Sequence, residues 1–116
     1  MNPIFNQIGT VFVPVSNIEK ARDWYCDILG LPADDEILFG HLFIVPMHGT
    51  GLVLDSKIYS KNNIFTAPAF QFLTDNIERA YTYMEGKKVE LTTGIEHNQW
   101  FNFKDADGNL LMVCKC

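Results

Sequence analysis

The chain repeats itself at a spacing of 59 residues, the separation of Asn17 from Asn76, which is about half of its 116 residues. Residues 16–21 read Ser-Asn-Ile-Glu-Lys-Ala, and residues 75–80 read Asp-Asn-Ile-Glu-Arg-Ala. The same spacing, with no gap, also aligns the glycine-led apolar segments at residues 49–54 and 108–113. Two matches at one spacing indicate a duplicated supersecondary unit. We therefore predict a single domain made of two copies.

The copies are predicted near residues 4–56 and 64–115, within one domain that spans 1–116, and the polar stretch at 57–63 is a suitable linker. Each copy reads as a strand, a helix and three further strands. Each helix is predicted to begin at a capping box, which is Ser16 with Glu19 in the first copy and Asp75 with Glu78 in the second. A glycine is predicted to end each helix, Gly30 in the first copy and Gly86 in the second. The strands are predicted at residues 8–15, 36–39, 41–45 and 52–55, and at 69–74, 89–92, 100–104 and 110–114. The fold class is therefore α+β, with two βαβββ repeats.

Composition excludes several classes of protein. The formal net charge is −5, so a basic surface for nucleic acid or anionic lipid is not expected. No apolar run approaches the roughly 18 residues of a membrane span, and the N-terminus does not resemble a signal peptide. Three cysteines, an odd number, favour a reducing compartment without disulfides, with Cys114 buried and Cys116 loose rather than in a zinc or redox site. We predict a cytoplasmic protein.

Alternate residues of a strand face opposite sides of its sheet, and the repeat allows both sides to be assigned in both copies. One predicted face is entirely large and apolar, which suits a core packed on the two helices. Its members are Val11, Val13, Leu42, Ile44, Leu52 and Leu54, with their copies Phe70, Phe72, Phe101, Phe103, Leu111 and Val113.

The other predicted face mixes aromatic and polar residues. Its members are Thr10, Phe12, His41, Phe43 and Val53, with their copies Ala69, Gln71, Trp100, Asn102 and Met112. A second core would not favour four polar side chains, because a buried polar group without a partner costs roughly 1–3 kcal/mol. A half-apolar surface with a few placed polar groups is typical of small-molecule sites. The alternative is a filled interior in which the polar groups bond one another or water.

Paired βαβββ units of this kind resemble the vicinal oxygen chelate superfamily. The superfamily includes glyoxalase I, fosfomycin-modifying enzymes, bleomycin-binding resistance proteins and extradiol dioxygenases. The most specific segments are residues 13–21, which lead to Trp24-Tyr25 and to Leu29-Gly30-Leu31, and residues 100–109. The resemblance implies a cup-shaped mixed sheet around one cavity, with the helices on its outer face, and often a homodimer.

The resemblance also implies where a metal would bind. The superfamily's ligand positions fall on Thr10, Val53, Ala69 and Met112. Valine and alanine have no donor atom, a threonine hydroxyl is a poor ligand, and a thioether suits only soft ions. Since a catalytic metal normally has about three protein ligands, we predict no metal cofactor. The loss argues against glyoxalase and dioxygenase chemistry.

Displaced metal ligands are a weaker alternative. His41 is predicted to face the cavity, His97 to lie near its rim, and His48 to sit in a solvated turn. No short histidine spacing joins them. Cys114 beside a histidine base could act as a nucleophile, but a structural role is favoured for it. No catalytic residue is assigned.

Three functions remain open at this stage. The first is a metal-free module that binds a small, partly aromatic molecule. Its ligand-binding residues are predicted to be Thr10, Phe12, His41, Phe43, Gln71, Trp100, Asn102 and Met112. The second is a metal-dependent lyase or transferase of the glyoxalase or fosfomycin-resistance type, with a divalent metal on displaced ligands. The third is an interaction domain without a ligand. A homodimer is expected, with Trp24, Ile64 and Phe65 as interface candidates.

Overall fold

The computed structural model describes residues 2–116 and divides into two compact units. The first ends at Tyr59 and the second runs from Ser60 to Cys116. Each unit combines one helix with a small mixed sheet, so the predicted α+β class is confirmed.

The first unit has a three-stranded sheet and one helix. Its elements are β1 (Thr10–Pro14), α1 (Ile18–Leu29), β2 (Leu42–Val45) and β3 (Gly51–Asp55). The strand order is β1-β3-β2, with β1 parallel and β2 antiparallel to the central strand β3. The strand predicted at residues 36–39 is reduced to a single bridge between Leu38 and Leu42.

The second unit has a four-stranded sheet and one helix. Its elements are β4 (Gln71–Leu73), α2 (Ile77–Gly86), β5 (Glu90–Leu91), β6 (Trp100–Lys104) and β7 (Leu110–Cys114). The strand order is β4-β7-β6-β5, with β4 parallel to β7 and the other pairs antiparallel. Strands β6 and β7 match their predicted bounds residue for residue. Strands β4 and β5 are shorter than predicted.

Both helices begin one residue later than the capping boxes predict. The N-caps are Asn17 and Asn76, not Ser16 and Asp75. Asn17 Oδ1 accepts the Lys20 backbone N–H at 2.9 Å, and Asn76 Oδ1 accepts the Arg79 N–H at 3.0 Å. Asparagine is among the strongest N-cap residues because its short side chain reaches the unpaired amides of the first turn.

The helix ends differ between the units. Helix α1 ends as predicted, with Gly30 in the left-handed conformation at φ 68° and its N–H directed to the last turn. In the second unit the predicted glycine cap is wrong, because Gly86 is the last helical residue of α2 and the C-cap is Lys87. There Lys88, at φ 61°, takes the left-handed conformation after the helix.

The core lies between each helix and one face of its sheet. The predicted core face is confirmed in β3, β6 and β7 and at Val13 of β1. The buried residues there are Val13, Leu52, Leu54, Phe101, Phe103, Leu111 and Val113. The helices contribute buried residues to the same cores. In the first unit these are Ile18, Tyr25 and Ile28 of α1, and in the second they are Ile77 and Met84 of α2.

Strand β2 has the opposite orientation from the predicted one. Phe43, expected on the ligand-binding face, is fully buried and pairs with Leu54 of the core. Ile44, expected in the core, is 53% exposed, and Leu42 shares its face. The reason is register: Phe43 is the counterpart of Phe101, which pairs with Val113, so the copy spacing is 58 here and not 59. A slip of one residue exchanges the two faces of a strand.

The helices within residues 2–116 are short. Helix α1 has 12 residues and α2 has 10, against the roughly 20 that cross a bilayer. No helix in this part of the chain is long and apolar enough to be a membrane span.

Candidate functional site

In each unit one sheet face is turned away from the helix, and we call it the open face of that unit. The open face of the first unit carries an apolar row across three strands. Phe12 pairs with Val53, and Val53 pairs with Ile44. Phe12 and Ile44 are each 53% exposed. Neighbouring strands lie about 4.8 Å apart, so the row spans about 10 Å, the length of a fused aromatic ring system.

A histidine–aspartate pair lies beside this row, two residues further along the central strand β3. Asp55 follows Val53 by two residues and therefore shares its face. His41 Nδ1 lies 2.8 Å from Asp55 Oδ1, and the same oxygen accepts the Lys57 backbone N–H at 2.9 Å. An ionised carboxylate only accepts hydrogen bonds, so the neutral His41 tautomer that fits beside it has its hydrogen on Nδ1 and its lone pair on Nε2.

Thr10 completes the predicted set in the first unit. It is exposed, shares the face of Phe12 and pairs with Gly51. An added Cβ at Gly51 would come within 3.0 Å of Thr10 Oγ1, so the glycine leaves space for that hydroxyl. The structure thus brings Thr10, Phe12 and His41 to the open face, whereas Phe43 is in the core.

The open face of the second unit carries a more polar row. Gln71 pairs with Met112, which pairs with Asn102. One row further, Leu73 pairs with Cys114, which pairs with Trp100. The structure therefore brings all four predicted residues on these strands, Gln71, Trp100, Asn102 and Met112, to one face. Leu73 is 72% exposed and was missed because its alternation with Gln71 was not followed to the strand end.

Asn102 has an unsatisfied side chain. Its Oδ1 is buried and has no hydrogen-bond partner among residues 2–116. Its backbone N–H donates to Thr93 Oγ1 at 2.9 Å, so the residue is held in place from the backbone. A buried acceptor without a donor costs roughly 1–3 kcal/mol. A donor from a bound molecule would remove that cost.

Trp100 lies near a histidine ring and pairs across the strands with a disulfide-bonded cysteine. The His97 ring lies 5.0 Å from the Trp100 ring at 38°, and His97 is exposed in a left-handed turn. Beside Trp100, Cys114 forms a disulfide with Cys116, contrary to the expected free thiols. Gln71 Nε2 lies 3.5 Å from Cys116 Sγ. Cys116 lies two residues beyond the end of β7, so the disulfide joins the last strand residue to the chain that follows it.

Other titratable groups have structural roles. The Asp105 carboxylate accepts the Asn109 backbone and side-chain N–H groups and the Asp107 N–H, each at 2.9 Å, and fixes the β6–β7 turn. Cys26 is buried on α1, and burial raises the pKa of its thiol, with nearby carboxylates adding to the shift and Arg22 opposing it.

The superfamily's metal positions do not fit a metal here. Val53 and Met112 lie on the open faces, Thr10 begins β1 and Ala69 precedes β4. Their donor atoms amount to one hydroxyl and one thioether, which do not form a divalent site. Among residues 2–116, no group of three or more His, Cys, Asp or Glu side chains is arranged to hold a metal ion.

Comparison with known families decides the classification. The sequence matches the Glyoxalase/Bleomycin resistance protein/Dioxygenase superfamily over residues 7–113. The chain belongs to this superfamily. The resemblance seen in the sequence is thereby confirmed. No curated protein matches the chain.

Solved structures of the superfamily share the fold. An antibiotic-binding protein from a Streptomyces species has a TM-score of 0.78 and 23% identity, with 98% of each chain covered. A superfamily member from Sphaerobacter thermophilus has a TM-score of 0.74 and 22% identity, covering 97% of this chain and 98% of that one. A lactoylglutathione lyase from Agrobacterium tumefaciens has a TM-score of 0.71 and 18% identity, covering 98% and 96%. At these identities the likeness concerns the fold alone.

Proposed function

We propose that the protein is a binding member of the superfamily that holds a small, partly aromatic molecule on an open sheet face of one unit, without a metal. The observation that carries the proposal is the buried, unpartnered Asn102 Oδ1 beside Trp100 and Met112. A chain that served only as a scaffold would gain nothing from that unsatisfied acceptor.

Each open face has exposed apolar side chains of its own. Phe12 and Ile44 on the first unit's face and Leu73 on the second unit's face are each more than half exposed, on faces that no helix of their own unit covers. Exposed large apolar groups on one face mark interaction sites more often than a solvated surface. Aromatic ligands suit them because flat rings bury much area and lose little conformational entropy.

Polar groups of each open face would orient a ligand bound there. On the second unit's face Asn102 Oδ1 needs a donor and the Gln71 amide can donate and accept. On the first unit's face a neutral His41 offers Nε2 as an acceptor. Few polar groups on an apolar surface fix orientation and specificity. The antibiotic-binding relative makes an aromatic antibiotic one reasonable class of ligand to test.

The experiment uses the two tryptophans of the chain. Trp24, on α1, packs edge-on against Tyr25, and Trp100 is on the open face. In Trp24→Phe protein, Trp100 becomes the single indole reporter; in Trp100→Phe protein, Trp24 is the matched control. Chelator-treated proteins are titrated with naphthols, quinones and other two- and three-ring aromatics. Saturable quenching in the first variant alone supports the proposal; no saturable response from any compound contradicts it.

The metal-dependent alternative is tested on the same preparation. Elemental analysis of protein purified without added metal, together with an assay on methylglyoxal hemithioacetal, distinguishes it. Stoichiometric zinc, nickel or manganese with lyase activity would overturn the metal-free proposal.

A homodimer is a further part of the proposal. Four apolar side chains of the first unit, Ile4, Phe5, Ile8 and Phe39, are 71–85% exposed, which suits contact with another copy. By contrast Phe65, an interface candidate from the sequence, packs edge-on against Phe70 within its own unit. Light scattering across a concentration series measures the mass. The cytoplasmic location stays a prediction from composition.

A further inference from the structure

We propose that the His41–Asp55 pair is a ligand-selecting hydrogen-bond acceptor, which favours aromatic molecules that carry a hydroxyl group over those that do not. The inference rests on the proposed function, since it assumes that an aromatic molecule occupies the open face of the first unit. It adds the chemical class of that molecule, a phenol or naphthol.

The His41–Asp55 pair lies close to the apolar row of the first unit. Asp55 stands on the central strand β3, two residues from Val53, so their Cα atoms are about 7 Å apart on the same face. A flat ring laid along Phe12, Val53 and Ile44 would therefore have its rim near the pair. A hydroxyl on that rim is the simplest group to meet an acceptor there.

The hydrogen bonds of Asp55 orient the His41 ring. Its Oδ1 accepts both the His41 Nδ1–H at 2.8 Å and the Lys57 N–H at 2.9 Å, and the Asp55 side chain is only 10% exposed. The carboxylate is thus held as a hydrogen-bond acceptor for the Nδ1 side of the imidazole. The ring keeps its lone pair on Nε2, and the His41 side chain is 27% exposed, which leaves room for a ligand donor.

The surrounding turn does not depend on the imidazole. Leu38 and Leu42 exchange backbone hydrogen bonds of 2.8 and 3.0 Å, and the Ser56 N–H donates to the His41 carbonyl at 3.0 Å. These bonds close the turn and join it to the end of β3 through backbone atoms alone. The turn therefore needs little further stabilisation from the His41–Asp55 pair. An acceptor beside an apolar row could instead bind a hydroxyl group of a ligand.

The test compares two probes, 2-naphthol and 2-methoxynaphthalene, which share the ring system but only one of which donates a hydrogen bond. Calorimetric titration of the chelator-treated wild-type protein is expected to give about two- to tenfold tighter binding of 2-naphthol. His41→Phe, which keeps a ring but no acceptor, should abolish the preference. Asp55→Asn should reduce it, because an amide can donate to Nδ1 and leave the hydrogen on Nε2. His48→Gln, at an exposed histidine of the same unit, is the matched control and should keep it.

A spectroscopic readout separates positioning from folding. Nitrogen-15 NMR of neutral His41 should show hydrogen on Nδ1 in the wild-type protein and a larger share on Nε2 in Asp55→Asn. Equal binding of both probes, a preference that survives in His41→Phe, or the Nε2–H tautomer in wild type would overturn the inference while leaving aromatic binding intact. Failure of both probes to bind would contradict the inference together with the proposed function of this face.

Discussion

The two units are copies of one supersecondary plan, and they differ most in their antiparallel hairpins. The spacing between copies is 59 from β1 to β4 and from β3 to β7, but 58 from β2 to β6. That one residue turns Phe43 into the core and Ile44 outward, whereas β6 keeps the predicted alternation. In a duplicated sheet, the length of a connection therefore determines which side chains reach the ligand face.

The open faces have diverged accordingly. The first unit presents Phe12, Val53 and Ile44 with a histidine–aspartate pair beside the row. The second presents Gln71, Met112 and Asn102 with an unpartnered carboxamide oxygen. One face is suited to apolar contact and the other to hydrogen bonding.

The largest expected effect tests the register of β2. Phe43→Ala should lower the free energy of unfolding by about 3–5 kcal/mol, because it opens a cavity in the core. Ile44→Ala, its exposed neighbour, should cost less than about 1 kcal/mol. Urea unfolding of both variants measures the difference. Equal losses, or a larger loss for Ile44, would restore the uniform spacing of 59.

The second prediction concerns which open face holds the ligand. Trp100→Ala should weaken binding by roughly 1–3 kcal/mol if the indole is a stacking platform. Phe12→Ala is the equivalent truncation in the first unit, and calorimetry with one aromatic ligand compares them. Unchanged affinity in Trp100→Ala would remove the second unit's face from the site.

The third prediction compares the helix ends. Gly30→Ala should lower the stability by about 1–2 kcal/mol, because alanine is strained at φ 68°. Gly86→Ala should raise it by at most about 0.5–1 kcal/mol, since this glycine is the last helical residue of α2, is not left-handed, and an added Cβ meets no atom within 4 Å. Thermal unfolding measures both. A loss of stability in Gly86→Ala would show that Gly86 takes a left-handed capping conformation as Gly30 does.

The last prediction concerns how many of the three cysteine thiols react with an alkylating reagent. Burial raises the pKa of Cys26, so this thiol stays protonated as the pH rises through the range where an exposed cysteine ionises. Cys114 and Cys116 are joined in a disulfide. Native protein at pH 8 should therefore take up almost no iodoacetamide, denatured protein one equivalent, and denatured, reduced protein three, as read by intact mass. Three equivalents without reductant would show that the disulfide is absent.

Most of the fold was predictable from the sequence because the repeat supplies two copies of each strand and helix pattern, and each copy supports the other. Alternation assigned β6 and β7 correctly, since both have five residues and one connecting turn fixed by Asp105. It failed in β2, where only the register with β3 shows that one residue is missing. The strand at residues 36–39 was also overestimated, because propensity cannot tell a paired strand from a single bridge.

The site was predictable only in part. Face membership of Gln71, Trp100, Asn102 and Met112 follows from period two, which the sequence displays. The contact of His41 with Asp55 depends on a turn that joins residues 14 positions apart, and Asp55 had been read only as a strand end. The missing partner of Asn102 Oδ1 is a property of packing, so no residue pattern reveals it.

The most direct test of metal-free binding on the second unit's open face, where the unpartnered Asn102 Oδ1 lies, is an NMR titration of isotope-labelled, chelator-treated protein with an aromatic ligand. Our account predicts saturable shifts at the Asn102 side-chain amide and the Trp100 indole N–H, with no change at the Trp24 indole. Shifts that avoid Asn102 and Trp100, or that appear only after a divalent metal is added, would contradict it.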